Sequence, residues 1–328
     1  MPPGLRALLV VGIFSLLLGV STYRFWHAAP RDHQIVLEGH EGQWVYAVKA
    51  AGDYVYIGQG SRVAVVDVRN PDQPRLVDES EDGRDPVTAL ALHGHTLYAL
   101  SRKGGIRIFD VSSPDRLREV GTYWSADWGW LEDFTVVGDF LYVAAGWAGM
   151  WILDIRDPQD PRPRSHLAVR RYASGVAVDG AYAYVADWDQ GIHVVDIRDP
   201  DSPRRVAAAD TRERAGKVAY QDNTIYVADG GGLGVLDVST PSHPVPIAYH
   251  RTPGWTFGIA ASDGYVALAC GEPGLWLFDV HQPAAPRVVG IVDTPGDGNK
   301  VDLALPYLYV ADGRAGLTVA RWEGEGEP

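Results

Sequence analysis

The residues of this chain best suited to chemistry are charged groups that stand where a β-rich chain normally carries small side chains. Glu132 and Asp133 are adjacent carboxylates, and Lys217 and Lys300 are two of only four lysines, against 25 arginines. A carboxylate beside an amine can act as a general acid–base pair, and His250 would add a further proton carrier. The alternative is mutual neutralisation, because half-buried charges are costly unless paired. On that reading Glu132, Asp133 and Asp302 are the partners of the lysines, and a structural network is preferred over charges that await a ligand. A second set of residues is aromatic: Trp44, Trp130, Tyr172 and Trp255, with Trp147 and Trp188 in nearby turns.

The elements that must position these residues are written as a repeat. An apolar run ending in Asp, followed by a proline turn, recurs as VVDVRNPDQP at 65–74, IFDVSSPDRL at 108–117, ILDIRDPQDP at 152–161, VVDIRDPDSP at 194–203, VLDVSTPSHP at 235–244 and LFDVHQPAAP at 277–286. The aspartates Asp67, Asp110, Asp154, Asp196, Asp237 and Asp279 are spaced by 43, 44, 42, 41 and 42 residues, and a degenerate seventh copy places Ala320 another 41 along. Upstream of each lies a second short apolar element such as LYVAA, AYVAD or IYVAD. Each period therefore reads as four short strands bounded by Gly, Asp, Asn and Pro turns, the pattern of a propeller blade. The 37 glycines and 22 prolines, about 18% of the chain against a background of roughly 12%, agree with a turn-rich fold and exclude helical repeats.

Seven four-stranded blades are expected, giving an all-β seven-bladed β-propeller. The seventh unit stops after its third strand near Trp322, and HQIVLEG at 33–39 is the candidate for its missing outer strand, closing the ring with both termini. The domain plan is 1–30 an N-terminal segment, 31–322 the propeller and 323–328 a polar tail. From Ala7 to Tyr23 there are 17 residues without a charge, flanked by Arg6 and Arg24, which reads as one hydrophobic signal-anchor helix. An uncleaved anchor with the propeller outside the cytoplasm, periplasmic or at the cell surface, is preferred; secretion after cleavage near Gly19 or Ser21 is the alternative.

The repeats resemble the LVIVD repeat family, with GAYAYVADWDQGIHVVDIRDPDSP at 180–203 and NTIYVADGGGLGVLDVSTPSHP at 223–244 as the closest matches, and the likeness extends over about 290 of the 328 residues. The resemblance implies a β-propeller in a bacterial or archaeal envelope or surface protein and supplies no catalytic residues. The Trp-Asp and Gly-His pairs of WD repeats are absent.

Within the repeat, the Asp after the third strand sits where it can accept N–H groups of the following turn. The Asp of Y-V-A-D, at Asp187, Asp229 and Asp312, reads as a turn position because its column also holds Gln59, Ser101, Ala145 and Cys270. Columns that vary are more informative. The residues leading into the innermost strands are Trp44, Pro86, Trp130, Tyr172, Arg214, Trp255 and Asp297, expected to ring one mouth of the central channel. Exposed, these aromatics would form a binding surface; packed between blades, they would be structural. Three residues further in, the column reads Ala47, Ala89, Asp133, Gly175, Lys217, Gly258 and Lys300.

The net charge of −13 excludes nucleic acid as a partner of the body, and the only membrane contact expected is through the N-terminal segment. No nucleophile-elbow, zinc-protease, phosphate-loop or calcium-loop motif is present, the ten histidines do not cluster, and one cysteine builds neither a disulfide nor a zinc site. No metal and no cofactor are assigned. Of the histidines, His40 and His250 are expected at the aromatic face. The leading reading is a non-catalytic, membrane-tethered extracytoplasmic propeller that binds a protein partner or a small polar ligand at a mouth built from Trp44, Trp130, Glu132, Asp133, Tyr172, Lys217, Trp255, Asp297 and Lys300. The alternative is an extracytoplasmic hydrolase or oxidoreductase using the carboxylates and lysines of that mouth.

Overall fold

The computed structural model describes residues 33–37, 44–71 and 73–322. The expected signal-anchor helix, His40 and the polar tail lie outside them. Among the described residues no helix is long and apolar enough to cross a membrane.

The described residues form 28 strands in seven antiparallel four-stranded sheets. A single strand, β1 His33–Leu37, precedes the first complete blade, β2 Val45–Ala51, β3 Tyr54–Gln59, β4 Arg62–Asp67 and β5 Arg75–Glu79. Blade 2 is β6 Val87–His93, β7 Thr96–Ser101, β8 Gly105–Asp110 and β9 Arg118–Tyr123; blade 3 is β10 Asp133–Val137, β11 Phe140–Ala144, β12 Met150–Asp154 and β13 Arg162–Leu167. Blade 4 comprises β14 Ala173–Val178, β15 Tyr182–Asp187, β16 Gly191–Asp196 and β17 Arg204–Ala209, and blade 5 comprises β18 Ala215–Gln221, β19 Thr224–Asp229, β20 Gly232–Asp237 and β21 Val245–Arg251. Blade 6 follows as β22 Gly258–Ser262, β23 Tyr265–Ala269, β24 Leu275–Asp279 and β25 Arg287–Val292, and the chain ends in β26 Lys300–Ala304, β27 Tyr307–Ala311 and β28 Leu317–Arg321. In the seventh sheet the order is β1-β28-β27-β26, with Ile35 opposite Val319. The first strands of successive blades neighbour one another around the ring, β26 lying beside β2.

The sequence pattern follows from this arrangement. Second and third strands are covered on both faces by adjacent blades, so they are apolar throughout, as in YVAD and VVD; fourth strands face solvent and alternate or are polar. Buried side chains gather in seven clusters, each between two neighbouring blades. The tyrosines at the third position of the second strands, among them Tyr56, Tyr98, Tyr184 and Tyr226, are buried there. Burying such rings and the branched residues beside them is worth roughly 1.5–3 kcal/mol each before entropy.

Two local devices recur in most blades. The glycine that opens a third strand, as at Gly191 (φ +71°), takes a left-handed conformation, and a Cβ there would strike the Ala209 carbonyl oxygen of the outer strand. At the other end, Oδ1 of each repeated Asp accepts the N–H two residues on: Arg69 at 3.0 Å from Asp67, Ser112 at 2.9 Å from Asp110, Arg156 at 3.0 Å from Asp154, Arg198 at 3.1 Å from Asp196, Ser239 at 2.8 Å from Asp237 and His281 at 2.9 Å from Asp279. The turn-capping role read from the sequence is thus the one the structure shows. Arginine side chains grip five of these carboxylates, Arg69 on Asp67, Arg118 on Asp110, Arg156 on Asp154, Arg198 on Asp196 and, together with His281, Arg287 on Asp279, and all five are held at about 2.

Candidate functional site

The site is built on the innermost strands and the segments leading into them. The column Ala47, Ala89, Asp133, Gly175, Lys217, Gly258 and Lys300 occupies one register, six of the seven opposite a small residue of the second strand, such as Gly58, Ala144 or Ala228, and Ala89 opposite Leu100. Crowding decides which members can be large. A Cβ on Gly175 would lie 3.0 Å from Cα of Lys217, and one on Gly258 would lie 2.8 Å from Cα of Lys300. Each lysine therefore follows, one blade on, a glycine that gives its backbone room.

Both lysines reach across the channel to blade 3. Lys300 Nζ donates to Asp133 Oδ1 at 3.0 Å, and Lys217 Nζ lies 3.9 Å from Asp133 Oδ2 while donating to the Glu132 carbonyl oxygen at 2.6 Å and to that of Ser174. The side chains are only 12–21% exposed, so the three charges form a plug. Burial pushes the Lys217 ammonium down to about 8, Asp133 opposing the shift and Lys300 adding to it. On the far side of the plug a second hollow of about 420 Å³ ends at Lys49, whose ammonium pairs with Asp302 at 2.9 Å.

Above the plug opens a cavity of about 900 Å³, within the upper range of pockets that take small ligands. Trp130, Trp147, Tyr172, Trp188, Trp255 and Phe257 line it, and Lys217 and Lys300 make its floor. Trp130, Trp147, Trp255 and Phe257 are 47–72% exposed. Trp147 meets the Tyr172 ring edge-on at 5.2 Å, and Trp188 stacks with Trp255 at 6.1 Å. From blade 5, between those two indoles, Arg214 lies 5.9 Å from each ring, a cation–π arrangement. Lys103 and Arg102 lie over Trp130 at 5.3 and 5.9 Å. Glu132 is held on both oxygens, accepting the Tyr172 hydroxyl at 2.5 Å and Arg102 at 2.8 Å. Burial, followed by the Glu132 contact, raises the Tyr172 phenol.

The structure separates the sequence candidates into groups. Trp130, Glu132, Tyr172, Lys217, Trp255 and Lys300 line the cavity, with Pro86, while Asp133 lies beneath it in the plug. Trp44 does not line it: its ring stacks on Tyr46 at 5.9 Å and takes Arg314 at 4.7 Å, bridging blades 7 and 1. Asp297 is exposed in the segment leading into β26, also outside the lining, with its carbonyl accepting from Asn299. Two expectations are corrected. His250 is on the outer strand β21 with its ring against Phe278 at 5.1 Å, between blades 5 and 6, because the outer strand's inward face packs on the next blade. Glu132 pairs with Arg102 rather than with a lysine, since Arg102 comes from the adjacent turn of blade 2.

Sequence reasoning passed over Arg102, Arg171, Asp85, Asp189, Phe257 and Asn299, all of which line the cavity. The turns between second and third strands supply Arg102, Trp147 and Asp189 and read as a column of their own, so aligning that column too would have found them. The buried aspartates of Y-V-A-D also do more than fill a turn. Asp187 accepts the N–H groups of Arg171 at 3.0 Å and Tyr172 at 2.8 Å and contacts His193 Nε2 at 2.9 Å, fixing the segment that presents Tyr172. Asp312 accepts from Thr294, Gly296 and Thr318, and burial pushes its carboxyl up to about 6 against those hydrogen bonds.

The LVIVD repeat model matches residues 45–81, 129–162, 170–211, 214–249, 253–294 and 295–320. The chain belongs to the LVIVD repeat family. This LVIVD propeller has one blade more than the six matched repeats: blade 2, between the first two matches, keeps the four-strand order and the Asp110 cap. No curated protein matches the chain. Among solved structures it is similar to the RRP9 WD40 repeats (TM-score 0.74, 13% identity, covering 89% of this chain and 98% of that one) and to U3-55K (TM-score 0.73, 12% identity, 88% and 98%). The computationally designed Ika8 protein is also similar, with TM-score 0.66, 13% identity and coverage of 88% and 98%. At such identities the likeness is one of fold.

Proposed function

We propose that this LVIVD propeller is a non-catalytic binding protein of the cell envelope, tethered to the membrane by its N-terminal segment, that takes a small polar ligand or a protein partner at the aromatic mouth. The observation that carries this reading is the concentration of exposed aromatic rings, Trp130, Trp147, Trp255 and Phe257, around one cavity with a charged floor. The carboxylates that an enzyme would use are engaged: Glu132 with Tyr172 and Arg102, Asp133 with the two lysines. That geometry supports binding over acid–base catalysis, and the loss of His250 from the mouth supports it further.

The full chain, screened against sugars, amino acids, nucleotides and short peptides with tryptophan emission as the readout, should give ligands that shift emission in the wild type and not in the Trp130→Ala/Trp255→Ala variant. If no compound distinguishes the two, the mouth is not a binding site. Tethering is checked by a C-terminal reporter active only outside the cytoplasm, which should work in the full-length protein. The apolar stretch 7–23 motivates it, and an inactive reporter rejects it. We also propose that β1 closes the ring. A chain beginning at Gln43 should lose cooperative unfolding that one beginning at Pro30 keeps, and equal melting of the two would reject the closing role.

A further inference from the structure

The mouth also carries information about the class of its ligand. The three exposed indoles Trp130, Trp147 and Trp255 reach the cavity from different segments, one on the approach to blade 3 with Lys103 and Arg102 over it, one in the second turn of that blade edge-on to Tyr172, and one on the approach to blade 6 stacked on Trp188. Between them the polar groups do not share one sign. Arg171 is exposed and has no ion pair among the described residues, so it offers donors. Asp189 is exposed and ion-paired through Oδ1 with Arg214 at 3.6 Å, and its Oδ2 keeps acceptor capacity toward the cavity it lines. Asn299 spends its amide N–H₂ on the Asp297 carbonyl at 2.7 Å and keeps its side-chain oxygen as an acceptor. The floor is closed by Lys217 and Lys300, whose ammoniums are paired with Asp133 beneath it, so an aliphatic anchor that pushed deeper would have to break that ion-pair network.

We infer, on the reading of the mouth given above, that its ligand is an oligosaccharide. A pyranose ring has an apolar C–H face that stacks on an indole, and around its edge are hydroxyls that each donate and accept. Exposed indoles from different segments with donors and acceptors among them, over a floor closed by an ion-pair network, match that distribution. A phosphorylated ligand would call for donors of one sign, and a peptide anchored by Leu or Phe would call for an apolar floor. A cavity of about 900 Å³ has room for more than one sugar ring.

The test is calorimetric titration of the full chain, kept in detergent, with tetramers of neutral hexose, of N-acetylhexosamine and of uronate, and with a Leu- and Phe-containing tetrapeptide. At least one saccharide series should bind, and Trp147→Ala and Trp255→Ala should each weaken it at least about tenfold with the melting temperature unchanged, as for a central anchoring residue. Uronate binding that alone is lost with Arg171→Gln assigns an acidic glycan; equal binding of neutral tetramers assigns a neutral one. If the peptide binds in a Trp255-dependent way and no saccharide does, the oligosaccharide inference falls and the binding mouth stands. If nothing binds, or saccharides bind equally to wild type and to both tryptophan variants, the mouth is not the site and both readings fall.

Discussion

The outer turns and the channel mouth are made from the same repeat and behave in opposite ways. On the outer turns six aspartates make the same bond to the N–H two residues on, blade after blade. At the mouth the equivalent positions of seven blades hold tryptophan, tyrosine, proline, arginine and aspartate, and one step inside they hold alanine, glycine, aspartate and lysine. A blade that runs on through that turn into its own fourth strand needs the turn capped, so the position is copied in blades 1 to 6 and not in blade 7, where Ala320 stands. The mouth is one shared space, so its seven contributors are free to differ and the differences build one asymmetric site.

The comparison predicts where damage should be greatest. Asp133→Ala, which leaves Lys217 and Lys300 facing each other without their carboxylate, should cost about 3–5 kcal/mol, read as a lowered denaturant midpoint. Adding Lys300→Met should recover part of that loss, and a full-size loss in the double variant would show that the plug is not an ion-pair network. Asp312→Ala, removing an acceptor for three donors, should cost roughly 1–3 kcal/mol.

Asp312 also sharpens the contrast through pH. Its carboxyl titrates at about 6 in the fold against 3.8 for the ordinary group, so its contribution is complete below 3.8 and lost as pH rises through about 6. The outer aspartates, held at about 2, act in the other direction: their contribution is present above 3.8 and lost as pH falls toward 2. Melting temperature followed from pH 3.5 to 7 should therefore fall less steeply on the alkaline side in Asp312→Asn than in the wild type; identical profiles would refute the buried assignment.

Smaller effects are expected from single outer caps. Asp237→Ala, which loses one bond to the Ser239 N–H in a repeated and partly exposed turn, should cost roughly 0.5–1 kcal/mol. Smallest of all on stability are the mouth tryptophans: Trp147→Ala and Trp130→Ala should stay within about 0.5 kcal/mol of wild type. A larger loss would mean that these rings are structural, as Trp44 is.

Much of this was legible from residues alone. The period of the Asp-turn motif and the apolar second and third strands specify blades and their number, because strands covered on both faces must be apolar throughout and turns need Gly, Asp and Pro at fixed places. The caps at Asp67 to Asp279 could be read because donor and acceptor are two residues apart. The mouth candidates emerged from aligning copies, which works because equivalent positions in a ring point to the same end.

What required tertiary structure is pairing across the ring. Lys300 and Asp133 are 167 residues apart, and no local rule chooses between that partner and Glu132, which goes to Arg102 instead. Equally, Trp44 and Trp130 occupy one column, yet the first is fitted between blades under Arg314 and the second opens onto the cavity. The sequence determined the repeat, since in six of the seven blades the backbone hydrogen bonds and local turns are set within about 42 residues, the seventh borrowing β1 from the other end of the chain. Only the closed ring decided which charges meet and which rings stay exposed, because those contacts join side chains from different blades across a shared space.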